Sequence, residues 1–340
     1  MSAITSDHGG IIHYEPFGQG RPVVLVHSWV GSWRYMASLA QVLAIKFRVY
    51  AIDLFGFGDS ARKPTHYTLE HQLALLEDFM DRMGIQKTAM IGHGLGAVLA
   101  TEFVRRHPDK VPRTLLVSAP LYDPGDLAHR VPASRALQSR AATAQVMDAN
   151  PNAPTLPSAT SAMRAALLAA ARAKGGLAPE LEQIALGGIH APALPVAAYN
   201  PLKNIIGGAT PDMLLARAYK RPEDAPKEVA VDARRADPRA ITASIENFDA
   251  GTMLDRVRQL PNLVMLIHGG DDTLIPPPSD EVLQYVTADK ESSLIALLLP
   301  KVGHFPMLEE ERFARLASEF LEVPDISKLA LRDRWVRRNR

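Results

Sequence analysis

Short apolar runs alternate with amphipathic stretches between Ile11 and Pro120, and this alternation constrains the fold more than any other feature of the sequence. Helices are predicted at 69–84, which ends with Gly84, and at 95–107, which ends before Pro108. The alternation is typical of a parallel sheet that is covered by helices on both faces. Strands are predicted at four runs: VVLVH (23–27), FRVYAID (47–53), TAMIG (88–92) and TLLVSA (114–119).

The same alternation returns after Ile245. LVMLIHG at 263–269 and SLIALLLP at 293–300 predict two further strands. EVLQYVTA at 281–288 and EEERFARLASEFLEV at 309–323 predict amphipathic helices. The two halves of the chain therefore predict one α/β core that is interrupted in sequence.

The interruption, residues 121–244, has a different composition, rich in alanine and proline and poor in β-branched runs. ASRALQSRAATAQVM at 133–147 and SAMRAALLAAARAKG at 161–175 predict helices, because alanine, arginine, leucine and glutamine favour them. We therefore expect a core of residues 1–120 and 245–322, a large helical cap at 121–244, and a basic C-terminal tail at 323–340.

Composition excludes several classes of function. The 340 residues carry 38 Lys and Arg against 37 Asp and Glu, a net charge of +1 that gives no overall attraction for nucleic acid or anionic lipid. The chain has no cysteine, which excludes disulfides, thiolate metal sites and cysteine nucleophiles. No apolar run reaches 18 residues, so we expect no stable membrane insertion and, by default, a cytoplasmic protein.

The motif IGHGLGA at 91–97 lies between a predicted strand and a predicted helix. This is the setting of G-x-S-x-G, a sharp turn that presents a nucleophilic serine. Gly92 and Gly96 fit the requirement for close packing around such a turn. Gly94 stands where the serine hydroxyl belongs, so we expect the turn to form without its nucleophile.

Here the chain resembles the α/β-hydrolase superfamily, over about residues 1–120 and 245–322. VLVHSWVGSW at 24–33 is similar to the His-Gly segment of the family, except that Ser28 stands where glycine is usual. AIDLFGFGDS at 51–60 is similar to its Asp-x-x-Gly-x-Gly-x-Ser turn. LIHGGDDTLIPP at 266–277 and VGHFPMLEEERF at 302–313 resemble the segments that hold the acid and the histidine.

The resemblance implies an α/β-hydrolase fold and a set of site residues. Asp272 would be the acid and His304 the base, with an oxyanion hole formed by the backbone N–H groups of Trp29 and Leu95. The neighbouring Asp271 is the alternative acid if the alignment is shifted by one residue. The substrate pocket is expected to include four more residues: His27, Ser28, Trp33 and His93.

Some of these residues also have a purely structural interpretation. His93, His27 and His268 are expected to be packed and hydrogen-bonded, and Asp53 is expected to cap the turn that follows its strand. The glycines near 56–58 and 92–96 do not match a phosphate-binding motif. The histidines do not fall in a metal-binding pattern, so we expect neither a metal nor another cofactor.

Three explanations of Gly94 remain open at this point. The chain is an enzyme in which a His304–Asp272 dyad activates water or substrate directly, or a non-catalytic relative that binds a small molecule or a partner. Alternatively, glycine has replaced a parent serine. We expect an enzyme acting on an apolar ester or carbonyl compound. The substrate itself and the oligomeric state do not follow from the sequence.

Overall fold

The computed structural model describes residues 2–7, 10–127, 130, 199–219, 221–290 and 292–329. The chain divides into two compact units, one of residues 1–130 with 198–340 and the other of residues 131–197. The predicted cap spans this division, since 198–244 group with the first unit. The helices predicted at 133–147 and 161–175 lie outside the described residues, as does most of the predicted tail.

An eight-stranded sheet forms the centre of the first unit, in the order β1-β2-β4-β3-β5-β6-β7-β8. β1 pairs antiparallel with β2, β2 pairs antiparallel with β4, and all other pairs are parallel. The bounds are β1 Ser2–Ser6, β2 Gly10–Phe17, β3 Arg21–Val26, β4 Phe47–Ile52, β5 Ala89–His93, β6 Arg113–Val117, β7 Leu263–Gly269 and β8 Leu294–Leu299.

The strands form where the sequence predicts them because their side chains are buried on both faces. Val23 to Val26 of β3, for example, are at most 1% exposed. The six predicted strands are confirmed within two residues at each end. β1 and β2 were not predicted as separate elements, because their mixed polar composition lacks a continuous apolar run.

Helices flank the sheet. Their bounds are α1 Ala37–Leu43, α2 Leu69–Arg82, α3 Leu95–Arg106, α4 Leu202–Ile205, α5 Pro211–Tyr219, α6 Lys227–Ala233, α7 Pro238–Ala243, α8 Ala250–Arg258, α9 Asp280–Thr287, α10 Pro306–Glu309 and α11 Phe313–Glu322. α1 packs against α11, whereas α2 and α8 pack against α3, and α9 packs against α8. The mostly parallel α/β-hydrolase architecture predicted from the sequence is confirmed.

Local sequence explains where the predicted helices begin and end. The Thr68 side chain accepts the N–H of His71 at the start of α2, and Gly84, with a φ of +65°, follows its end. The helix predicted at 309–323 forms as α11 and begins later than expected, at Phe313, whereas Glu309 ends the preceding short helix α10. Glu310 is extended there, and its carboxylate accepts the N–H of Arg312 at the start of α11.

Within the described residues, no helix has both the length and the apolar composition needed to span a membrane. Within the predicted cap the structure describes residues 121–127, 130, 199–219 and 221–244, and the helices α4 to α7 lie in the last two of these ranges. These helices lie between β6 and β7 in the sequence, and β6 and β7 pair directly in the sheet. The sheet is therefore continuous although the sequence between these two strands is long.

Candidate active site

Three glycines, Gly92, Gly94 and Gly96, allow the tight turn between β5 and α3. Gly94 has a φ of +53°, a conformation that favours glycine. A Cβ on Gly92 would lie 2.2 Å from the carbonyl oxygen of Gly96, and a Cβ on Gly96 would lie 2.1 Å from the carbonyl oxygen of Val26. The spacing of the three glycines therefore lets α3 begin directly against β3.

Three side chains from distant parts of the sequence form a continuous hydrogen-bonded chain beside this turn. The Oγ of Ser28 lies 3.0 Å from Nε2 of His304, and Nδ1 of His304 lies 2.9 Å from Oδ2 of Asp272. All three side chains are buried, and Ser28 and His304 are fully so. The arrangement is hydroxyl, imidazole and carboxylate in series, with bulk water excluded.

Asp272 is held by its own loop. Its Oδ1 accepts the N–H groups of Leu274 and Ile275, both at 2.9 Å, so Oδ2 is directed to the imidazole of His304. Burial acts to raise the pKa of Asp272, but the interactions with His304 and His268 outweigh it and hold the pKa well below its ordinary value. Asp272 is therefore the charged partner of His304, while the neighbouring Asp271 is exposed.

A second chain of hydrogen bonds joins the backbones on either side of the Ser28–His304 contact. The N–H of Ser28 donates to the Tyr35 hydroxyl at 2.8 Å, and that hydroxyl lies 2.8 Å from Nδ1 of His93. Nε2 of His93 lies 2.7 Å from the carbonyl oxygen of His304. Because that carbonyl only accepts, Nε2 of His93 carries the proton and Tyr35 donates to Nδ1.

His27 and His93 are both held neutral in the interior. Nδ1 of His27 donates to the carbonyl oxygen of Ser28 at 2.7 Å, while Nε2 accepts the N–H of Leu54 at 3.1 Å. Burial lowers the pKa of His27, and burial together with the nearby His304 lowers that of His93 still further. Both rings use both nitrogens to tie together the loops around Ser28.

Two backbone donors flank the Ser28 and Gly94 positions. Within the described residues, neither the N–H of Trp29 nor that of Leu95 donates to a protein acceptor. Trp29 follows Ser28 directly and Leu95 follows Gly94. The Trp29 ring is anchored by a bond of 2.9 Å from its Nε1 to the Oγ of Ser244. The loop that carries the Trp29 N–H is thereby fixed.

The structure brings Ser28, His93, Asp272 and His304 together and places Trp33 elsewhere. The N–H of Trp33 donates to Asp53, and its ring packs near His13 and Phe17 of β2. Asp53 accepts the N–H of Asp59 with its other oxygen, across the turn that follows β4. The ligand atoms of His13, Asp53 and Asp59 lie close enough to suggest a metal, but Arg34 and Arg235 already pair with Asp59.

Sequence reasoning missed two phenols near the site, Tyr122 and Tyr219. The hydroxyl of each is buried and has no hydrogen-bond partner among the described residues. The Tyr219 ring stacks on Phe305, the residue after His304, at 5.3 Å. The charge of Asp272 helps to raise the pKa of Tyr122, after burial. Neither tyrosine belongs to a motif, so no local signal in the sequence identified them.

Comparison with known proteins agrees with this architecture. Residues 21–311 match the model of the α/β hydrolase fold family. The chain belongs to that family.

Curated relatives include a soluble epoxide hydrolase of Corynebacterium sp., 32% identical over 110 residues, which are 32% of this chain and 38% of that protein. Another is the rat bifunctional epoxide hydrolase 2, 34% identical over 128 residues, which are 36% of this chain and 22% of that protein. The chain thus spans less than two fifths of the length of these relatives.

Solved structures match over most of both chains. An esterase from Exiguobacterium antarcticum has a TM-score of 0.62 at 15% identity, covering 95% of this chain and 99% of the other. The N-acyl homoserine lactonase AidH complexed with N-butanoyl homoserine has a TM-score of 0.59 at 18% identity, covering 95% and 97%. At these identities the similarity shows the fold alone.

Proposed function

We propose that this protein hydrolyses esters of apolar small molecules, with His304 as general base and Asp272 as the carboxylate that orients it. The observation that carries the proposal is the 2.9 Å contact between Nδ1 of His304 and Oδ2 of Asp272. That contact keeps the proton on Nδ1, which leaves Nε2 free to accept a proton from an oxygen nucleophile.

The N–H groups of Trp29 and Leu95 complete the proposal. As an ester carbonyl is attacked, negative charge develops on its oxygen, and two fixed N–H donors in a buried site stabilise it. Their lack of an acceptor among the described residues supports this role.

Epoxide hydrolysis is less well supported than ester hydrolysis, although curated relatives are named as epoxide hydrolases. The family resemblance implies an aspartate at the position of Gly94 in epoxide hydrolases of this fold, and glycine supplies no carboxylate. We further propose that residues 121–244 form a cap that sets substrate choice. The helices α4 to α7 and the buried hydroxyls of Tyr122 and Tyr219 support this assignment.

The experiment is to assay p-nitrophenyl acetate and butyrate with the wild-type chain, with His304→Ala and with His107→Ala as a control. His107 is a partly exposed histidine that pairs with Glu77. We expect turnover that His304→Ala abolishes and His107→Ala retains. Turnover that survives His304→Ala would contradict the proposal.

A non-catalytic binding protein is the second candidate, favoured by the complete burial of His304 and Ser28. It predicts no ester or epoxide turnover in the wild type, together with an increase in Tm when an apolar ester analogue binds. The hydrolase proposal predicts turnover, so the same assay separates the two candidates.

A further inference from the structure

The Ser28 hydroxyl occupies the space that a side chain at position 94 would need. A Cβ built on Gly94 lies 2.2 Å from the Oγ of Ser28 and 2.9 Å from its Cβ. A serine at 94 and the observed serine at 28 are therefore mutually exclusive in this arrangement. Glycine at 94 and serine at 28 form a matched pair, which argues against a simple loss of a serine from position 94.

From this exchange we infer that Ser28 is the nucleophile of the ester hydrolysis proposed above, an inference that rests on that proposed function. Oγ of Ser28 is 3.0 Å from Nε2 of His304, within the distance over which a general base removes the proton of a nucleophile. Asp272 holds the opposite nitrogen of the same ring at 2.9 Å. Ser28, His304 and Asp272 thus satisfy the geometry of a catalytic triad.

The backbone of Ser28 supports this role without strain. The non-glycine residues with positive φ in the described chain are Ser118, Asp289 and Lys301, so Ser28 presents its hydroxyl from an ordinary conformation. Its N–H is fixed by Tyr35 and its carbonyl by His27. Buried hydrogen bonds therefore fix the backbone of Ser28 on both sides of its Cα, and this positions the hydroxyl.

The same two N–H donors serve an attack by Ser28. In the usual turn, one donor follows the nucleophile and the other follows β3. With Ser28 as the nucleophile, the donor that follows the nucleophile is the N–H of Trp29, and the donor from the other loop is the N–H of Leu95, which follows Gly94.

The step balances as an ordinary acyl transfer. Oγ of Ser28 forms a bond to the ester carbonyl carbon, its proton passes to Nε2 of His304, and the carbonyl π electrons move to the oxygen. When the C=O bond re-forms, the bond to the alcohol oxygen breaks, and His304 returns the proton to that oxygen. Water then attacks acyl-Ser28 by the same proton transfers, and releases the carboxylic acid and the free serine.

The test compares Ser28→Ala and Ser28→Gly with the wild type and with Ser60→Ala on p-nitrophenyl acetate. Ser60 is a buried serine whose hydroxyl bonds the backbone of His13 and Asp53, away from His304. Ser28→Gly is included because the resemblance of residues 24–33 to the family's His-Gly segment implies glycine at this position, so this variant is expected to fold. Circular dichroism and Tm verify the fold of each variant.

We expect both Ser28 variants to lose on the order of a thousand-fold or more in kcat, with Ser60→Ala within a few-fold of wild type. If the Ser28 variants retain turnover while His304→Ala does not, hydrolysis by the dyad stands and the role of Ser28 is wrong. If the wild type cleaves no ester, the proposed function itself fails, and the inference fails with it.

Discussion

The Oγ of Ser28 lies only 2.2 Å from the position that a Cβ on Gly94 would occupy. The loop after β3 and the turn after β5 therefore share one volume, which holds one side chain and not two. The side chain present is that of Ser28, and it faces the imidazole of His304 at 3.0 Å. A hydroxyl is thus available to His304 although residue 94 has none.

Gly94→Ser is expected to lower the stability of the protein. The substitution places a side chain at a φ of +53°, which costs about 1–3 kcal/mol, and also creates the contact with Ser28. Urea denaturation of Gly94→Ser, Ser28→Gly and the double variant measures the coupling between the two positions. The double variant should be more stable than Gly94→Ser alone; equal or lower stability of the double variant would show that the two side chains do not compete for space.

Asp272→Asn is expected to lower kcat/KM for p-nitrophenyl acetate by on the order of 10³- to 10⁴-fold, because an amide no longer fixes the proton on Nδ1 of His304. Asp271→Asn is the matched control, since the adjacent side chain is exposed. It should leave kcat/KM nearly unchanged. If Asp271→Asn lowers kcat/KM strongly and Asp272→Asn hardly does, the acid is Asp271 and the assignment of Asp272 is wrong.

Tyr35→Phe is expected to reduce kcat by about tenfold with a smaller change in KM, because it removes the hydroxyl that links the N–H of Ser28 to Nδ1 of His93. The buried N–H left without its acceptor should also cost about 1–3 kcal/mol of stability. Tyr35 acts here as a positioning residue. Steady-state kinetics at several substrate concentrations separates kcat from KM. An unchanged kcat together with a lower free energy of unfolding would show that the role of Tyr35 is structural only.

The buried neutral His27 predicts a loss of stability in mild acid. Burial lowers its pKa in the folded state below 6.5, so the unfolded chain binds more protons as the pH falls through that value. The contribution is fully present above pH 6.5 and is lost below it, by at most about 1.4 kcal/mol per pH unit for one proton.

His27→Gln removes this proton uptake, and urea denaturation at pH 7, 6 and 5 measures it. The free energy of unfolding should fall less steeply toward pH 5 in the variant than in the wild type. His13 contributes in the opposite direction, because Asp53 raises its pKa despite burial. Since His13 is present in both proteins, its contribution cancels when the variant is compared with the wild type at the same pH. Parallel pH profiles for the two proteins would mean that His27 is not kept neutral by its surroundings.

Much of the core followed from the sequence because its signals are local. The apolar run at Val23–Val26 has to be buried on both faces, and Gly84 ends a helix because of its own backbone freedom. The start of the last helix at Phe313 rather than at Glu309 did not follow from the sequence, because the Glu309 carboxylate turns back to accept the N–H groups of Gly303 and Phe305. That contact depends on the tertiary arrangement of the loop.

The candidate site was predictable only residue by residue. The assignment of His304 and Asp272 stays a prediction about function, although the structure places their side chains in contact. Ser28 was expected in the pocket on account of its place after β3, but its relation to Gly94 depends on how closely β3 and β5 approach. No spacing along the chain encodes a contact between two neighbouring strands at that precision.

Covalent labelling of the wild-type protein shows directly whether Ser28 is the nucleophile. The chain is incubated with a fluorophosphonate, which phosphonylates serines that are activated by a neighbouring base, and the adduct is mapped by fragmentation mass spectrometry with His304→Ala as control. We expect one adduct, on Ser28, that is absent from His304→Ala. An adduct on another serine, or ester turnover with no adduct on Ser28, would contradict it.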